Sequence, residues 1–456
     1  MVRARSAVGK ENPLTLISAA SHGFPGFVTG GCTHRPARGA QSPTMSDRSR
    51  DYEVIVYGAT GFVGALVARH LAGHAPAGTR IALAGRSPAK LEAVKTRLGV
   101  DWPIVVADAG DPDAMATLAG RAHVIITTVG PYAKYGRALA HACAAAGTDY
   151  VDLTGEVLFA RDSIDENHEL ARGTGARIVH SCGFDSIPSD IGVHVLHQQV
   201  VADGAGELTD TTLVVTSMHG GVSGGTIDSM RNQVDVMKKD PSLRRVAGSP
   251  YSLSPDRQAE PKLGRQSDMD TIPASEVDPK LRGRLAPFVM ASYNTRVVRR
   301  SNALRGWAYG RAFKYREAMS VGASPLSPVL AAGIKLGLGA LIVGLAVPPT
   351  RYLLDRILPK PGDGPGEKTQ QDGHFTMDIF TTTTTGARYR ARVRAKGDPG
   401  YAATAVMLGE SALALALDRD ALPESEGGVL TPATGIGDAL VARLRAAGME
   451  ITAYKL

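Results

Sequence analysis

EVIVYGATGFVG, residues 53–64, runs a compact apolar segment, EVIVY, into glycines at 58, 61 and 64 and then into the helical pattern FVGALVARHLAGH (62–74). Glycines belong at such a junction when a buried strand turns tightly into a helix and leaves backbone N–H groups open to a ligand. The surrounding chain repeats the unit. RIALA (80–84), PIVVAD (103–108), HVIITT (123–128), YVDL (150–153) and RIVHSC (177–182) are short β-branched runs bounded by Gly, Pro or Asp. PAKLEAVKTRLG (88–99), PDAMATLAG (112–120) and GRALAHACAAAG (136–147) place helical patterns between them. That alternation predicts right-handed βαβ crossovers and an α/β fold built on a Rossmann-type doubly wound parallel sheet.

In such a sheet the first strand-to-helix turn receives a dinucleotide pyrophosphate. Gly58 is expected to permit the tight turn, Gly61 the close approach of backbone to phosphate, and Gly64 the close packing of helix on strand. Ala59, Thr60, Phe62 and Val63 complete the loop. The spacing is GxxGxxG, not the common GxGxxG. Where an NAD site places a carboxylate at the end of the second strand, this chain reads ALAGRSPAKL (82–91). Arg86, with Ser87 and Lys90, is the candidate for a 2′-phosphate, which favours NADPH, the alternative being a solvated loop cation. Asp108 is expected near the adenine or as the cap of the next helix. TTVGPY (127–132) brings Val129, Gly130, Pro131 and Tyr132 to the inner ribose and nicotinamide.

The chain has 456 residues, 43% hydrophobic and 21% charged, ordinary for a globular protein of two or three domains. A net charge of +7 favours anionic ligands or surfaces. Without zinc-finger spacing, an RNP-like motif or a long Lys/Arg tract, nucleic acid is not an expected partner. Cys32, Cys143 and Cys182 form no CxxC, so a reducing compartment is expected, without structural disulfide or zinc. His180 and His219 fit no metal spacing. The first 44 residues are rich in Gly, Ser, Ala and Pro without sustained period. They predict a disordered extension, with Met45 a candidate start.

The second half predicts another layer. TTLVVTSMHG (211–220), FVMASYNTRVVRRS (288–301), HFTMDIFTTTTTG (374–386) and ARYRARVRAKG (387–397) read as strands, the last two as a hairpin turning near Gly386. A mainly antiparallel sheet in an α+β domain follows. SGGTIDSMRNQVDVMKKD (223–240) reads as a loop capped by Thr226 and then a helix. YAATAVMLGESALALALDR (401–419) and GDALVARLRAAGM (437–449) read as helices. The expected map is an extension to residue 50, a nucleotide domain at 51–205, a substrate or dimerisation domain at 206–400, and helices at 401–456 packing back on the first. PVLAAGIKLGLGALIVGLAVPP (328–349) reads equally as a buried core helix or as a hairpin or amphipathic segment lying on a membrane or at an apolar substrate entrance. Arg351, Arg356 and Lys360 stand ready for anionic headgroups.

YGATGFVG, LAGRSPAKL, TTVGPYAKYG, GTDYVDLTGE (147–156), CGFDSIPSDIG (182–192), LPKPGDGPGE (358–367) and GGVLTPATGIGDAL (427–440) together resemble the saccharopine dehydrogenase-like oxidoreductases, especially the actinobacterial trans-acting enoyl reductases. The resemblance runs from about Tyr52 to the C-terminus. It implies reduction of a carbon–carbon double bond on a hydrophobic polyketide or lipid intermediate, carrier- or synthase-bound, made by a synthase without its own enoyl reductase domain. The expected location is cytoplasmic, and peripheral at the inner face of the plasma membrane on the reading of 328–349 as a membrane-surface segment. Such chemistry needs a proton source beside the hydride donor. Tyr132, with Tyr135 behind it, and Glu156 and Asp185, at the ends of the fifth and sixth strands, are the candidates. In SIPSD (186–190) Ser186 reads as a helix cap, so Asp185 has a loop-organising role as its alternative. Saccharopine-type dehydrogenation and a catalytically idle, lipid-associated nucleotide-binding scaffold are the competing functions; no Arg pair stands out to grip a dicarboxylate.

Overall fold

Strands form where the short β-branched runs predict them. A computed structural model describes residues 50–456 apart from 222–223, 257, 360–365 and 367–371. The expected N-terminal extension, Met45, Cys32 and most of LPKPGDGPGE lie outside the described residues. In chain order the strands are β1 (Tyr52–Tyr57), β2 (Ile81–Gly85), β3 (Ile104–Val106), β4 (Ala122–Thr127), β5 (Asp149–Val151), β6 (Arg177–Val179) and β7 (Leu208–His219). They continue as β8 (Ile272–Pro273), β9 (Arg284–Pro287), β10 (Lys314–Ser320), β11 (His374–Thr383), β12 (Arg388–Lys396), β13 (Gly428–Leu430) and β14 (Glu450–Lys455).

The first sheet has the order β13-β6-β5-β4-β1-β2-β3, and each of its pairings is parallel. Strand order reverses between β1 and β4, where such sheets open a crevice at the carboxyl edge. β1 is apolar throughout because both its faces are covered. Val54 and Val56 enter one core; Ile55 and Tyr57 enter the other. The helix Thr404–Leu417 packs on the Phe62–His74 helix, β1 and β4, adding Met407, Leu408 and Leu413 to the first of these cores.

The second sheet has the order β14-β12-β11-β7-β10-β9-β8. It is mixed: five pairings are antiparallel and β7 runs parallel to β10. The β11–β12 hairpin turns at Gly386, whose φ is +81°. The helix Ile187–Ala202 leaves β6 and lies on β11, β12 and β14, so one core spans both sheets. A Cβ at Gly192 would stand 2.4 Å from Ile379 Cδ1, a measure of how closely helix and sheet approach.

FVMASYNTRVVRRS is not a strand. Ala291–Leu304 is a helix, entered from Phe288–Met290. Its β-branched residues suggested a strand, and no helical apolar stripe shows because polar side chains are buried too. Arg299 and Arg300 bond to the carbonyls of Tyr315, Leu253 and Val429, and Arg296 pairs with Asp268. The helix predicted after a Thr226 cap starts earlier, at Gly224, and runs to Lys239. Residues 328–349 fall in a hairpin of helices, Ser327–Ala346 and Pro348–Ile357, closed where Leu354 packs on Gly344 and the Thr350 hydroxyl bonds the Gly344 carbonyl (2.8 Å).

Candidate active site

A cavity of about 320 Å³ lies between the carboxyl edge of the parallel sheet and the second sheet. Its first wall is the glycine loop and the segment after β4: Gly61, Phe62, Val63, Thr128, Gly130 and Tyr132. Gly58 has φ +88°, where an L side chain is strained, and a Cβ there would lie 2.8 Å from Thr128 Oγ1. At Gly64 an added Cβ would stand 2.1 Å from the Gly58 carbonyl oxygen. Both glycines are therefore required by the turn itself. Gly61 occupies the N-cap position of the Phe62–His74 helix, which has no side-chain cap and no acidic residue in its first turn. Unspent N–H groups on the positive end of a helix dipole are what a pyrophosphate needs, so this cradle fits a dinucleotide.

At the next strand end Arg86 is exposed, with no carboxylate partner among the described residues. Ser87 caps the Pro88–Leu98 helix through the Lys90 N–H, and Lys90 is exposed beside it. Asp108 accepts the Gly110 N–H (2.9 Å), and Asp111, not Asp108, caps the following helix. Asp108 is thus left at the rim beyond β3.

The three proton-donor candidates are placed differently. The Tyr132 hydroxyl is buried, donates to the Thr127 carbonyl (3.2 Å) and accepts the Leu153 N–H (3.1 Å). Burial, then Asp152, holds its proton well above the usual phenol range. Glu156 has no exposed surface. Its carboxylate accepts the N–H groups of Tyr132 (2.9 Å) and Ala133 (3.1 Å), at the start of the helix Tyr132–Tyr135, and the Ser229 hydroxyl (2.8 Å). Burial raises its pKa against those bonds. Tyr135 is exposed and does not line the cavity.

Asp185 lines the cavity, has no hydrogen-bond partner among the described residues, and is pushed by burial up to about 6. The Ser186 cap position beside it opens the Ile187–Ala202 helix, but the Ser186 hydroxyl bonds Asn294 Oδ1 (3.1 Å) instead of capping.

The remaining wall was not legible in the sequence. The Ser181 hydroxyl donates to the Thr154 carbonyl (2.8 Å) and bonds the Tyr293 hydroxyl, with Ser181 at φ +66°. Asp152 holds this corner by accepting the N–H groups of Ser181 and Thr154. Tyr293 comes from the helix Ala291–Leu304, whose strand-like composition conceals it. Asp228, Met230 and Gln233 reach the cavity from the helix Gly224–Lys239, and Phe184, Met218, Phe288 and Met290 make its apolar side. Phe62 meets Tyr401 edge to face at 5.0 Å, joining the glycine loop to the segment after β12. No Arg or Lys lines the cavity among the described residues. Nor do they hold a His/Cys/Asp/Glu cluster suited to a metal; Cys143 and Cys182 are buried free thiols.

Residues 54–179 match the family model described as saccharopine dehydrogenase NADP binding domain. A trans-acting enoyl reductase of Mycobacterium tuberculosis (strain H37Rv) is 50% identical over 423 residues, covering 90% of this chain and 100% of that protein. A second protein of that strain, carrying the same name provisionally, is 52% identical with the same coverage. The trans-acting enoyl reductase of Mycobacterium ulcerans is 49% identical over 424 residues. Among solved structures, apo histidine-tagged saccharopine dehydrogenase (L-Glu forming) from Saccharomyces cerevisiae aligns with 89% of this chain and 100% of its own, at 13% identity and a TM-score of 0.49.

Proposed function

The chain belongs to the family of the mycobacterial trans-acting enoyl reductases, and from that premise we propose that it saturates the carbon–carbon double bond of a hydrophobic enoyl thioester presented by a synthase or carrier domain. It is an NADP-dependent oxidoreductase. One observation carries the substrate reading: the cavity that adjoins the nucleotide cradle is walled by Phe184, Met218, Met230, Phe288 and Met290, and offers acyl chain contacts without a cation. A dicarboxylate such as a saccharopine-type adduct would meet Asp185 and Asp228 there, with no Arg or Lys lining the wall to balance them.

The N–H groups of Phe62, Val63 and Gly64, in the first turn after the Gly61 cap, would hold the pyrophosphate, and Arg86 the 2′-phosphate that distinguishes NADPH. When bound, the reduced nicotinamide supplies a hydride for the carbon β to the thioester carbonyl. The carbon α to that carbonyl then needs a proton, and Asp185 is the cavity carboxyl that burial keeps protonated up to about pH 6. Tyr132 and Glu156 act as positioning residues, since their polar atoms are spent on Thr127, Leu153, Ala133 and Ser229. The apolar walls exclude water from the reacting carbons.

Purified protein supplied with NADPH and trans-enoyl thioesters of increasing length is the test. Loss of the reduced-nicotinamide absorbance should accompany saturation, with kcat/KM rising roughly threefold per added methylene until the cavity is filled. Turnover of none of these thioesters, or faster turnover of a dicarboxylate amino-acid adduct, would overturn the reading.

A further inference from the structure

The hairpin 327–357 leaves apolar surface uncovered along its length. Within the helix Ser327–Ala346, mean hydropathy reaches 2.1 and only Ser327, Ala331 and Leu345 are buried. Val329 is 69% exposed, Leu336 73% and Val343 62%; the second helix adds Tyr352, Leu353 and Ile357. The buried residues stand at both ends of the first helix, which packs on β9 and on the helix Gly224–Lys239. It therefore lies along the protein and cannot cross a bilayer while those contacts hold.

Cations outnumber free carboxylates around the strip among the described residues: at the Ser327 end Lys280 and Arg282 stand against one unpaired carboxylate, Glu276. Asp355, Asp235 and Asp270 are engaged by Arg231, Arg351 and Lys335. Lys280 and Arg282 are exposed beside Gly283, whose neighbour is Ser327 at one end of the strip, and Arg282 bonds only backbone carbonyls. At the other end Arg356 lies over the Tyr352 ring, 4.5 Å from its centroid. An apolar strip with an aromatic side chain and cations at its ends matches the acyl and headgroup layers of an anionic bilayer.

We propose that residues 326–357 form a docking surface for an anionic lipid bilayer, fixed to the helix that walls the active-site cavity. Arg231 and Asp235 of that helix hold the hairpin, while Met230 and Gln233 on the same helix line the cavity. Docking therefore holds the cavity one helix away from the membrane surface, and its bearing on acyl substrates rests on the proposed enoyl reductase activity.

Full-length protein is mixed with phosphatidylcholine vesicles, with or without about one third phosphatidylglycerol, and sedimented. The protein should pellet with the anionic vesicles and less with neutral ones. Leu336→Asp with Val343→Asp should lower the partition coefficient roughly a hundredfold, and Arg282→Glu with Arg356→Glu roughly tenfold at low salt. NADPH binding should not change in either, which shows the variants folded. Equal supernatants with both vesicle types, or an apolar strip covered by a second copy and released as monomer by the Asp pair, would overturn the proposal. Turnover of soluble thioesters separates the two claims. Vesicle binding without turnover defeats the enzyme reading; turnover without vesicle binding defeats this one.

Discussion

Glu156 and Asp185 stand at corresponding strand ends, yet their surroundings give them opposite tasks. Three donors consume the Glu156 carboxylate, whereas Asp185 faces the cavity with its proton held by burial. With the neutral acid as the proposed donor, turnover should be highest below about pH 6 and fall as Asp185 ionises above it. Asp185→Asn should lower kcat roughly 10²–10⁴-fold and abolish that decline, leaving NADPH affinity intact, as a pH–rate profile would show. Arg86→Ala should weaken NADPH roughly 10–100-fold in a fluorescence titration and leave NADH unchanged. Gly64→Ala places a methyl against the Gly58 carbonyl and should cost about 2–3 kcal/mol in denaturant unfolding. Gly58 and Gly64 could be read from the sequence because backbone geometry alone demands them. Asp185 could be located but not distinguished from Glu156, since the distinction lies in partners from distant segments such as Ser229.

At the level of the element, most strands of the parallel sheet were legible because they are short apolar runs bounded by Gly, Asp or Pro, and the central β1, β2 and β4 are covered on both faces. The helix Ala291–Leu304 was not, because it buries arginines whose partners are backbone carbonyls of distant segments, in β10, in β13 and in the loop at Leu253. The three-residue β13 carries too little pattern to stand out; its neighbour β6 supplies the register. The segment after β4 is held by Glu156, which also ties it to the helix Gly224–Lys239 through Ser229. Ser229→Ala should raise KM for the acyl substrate several-fold with little change in kcat, since that helix walls the cavity and the hydroxyl touches no reacting atom. A kcat/KM split measured with one enoyl thioester checks it.

For the whole molecule, the shared core between two sheets encloses titratable groups whose ionisation works against folding. Glu317 is buried, accepts bonds from Asn294 (3.0 Å) and Tyr315 (2.9 Å), and is raised by burial from 4.5 to about 7. The native state therefore binds a proton that the unfolded state releases between those values, and this group's contribution to stability falls as pH rises through that window. The Tm of Glu317→Gln should gain on that of the parent protein as pH goes from about 5 to about 8. The two-layer plan was legible in the switch from strand–helix alternation to long alternating strands. The crossing of β7 with β10 in parallel was not, because pairing direction leaves no mark on either strand's own pattern.

The most direct measurement is a single turnover with NADPH deuterated at the transferred position and a long-chain trans-enoyl thioester in ordinary water, analysed by mass spectrometry. The saturated product should carry deuterium at the carbon β to the carbonyl and solvent hydrogen at the α carbon. Recovery of unreduced thioester from protein that binds the nucleotide would contradict it.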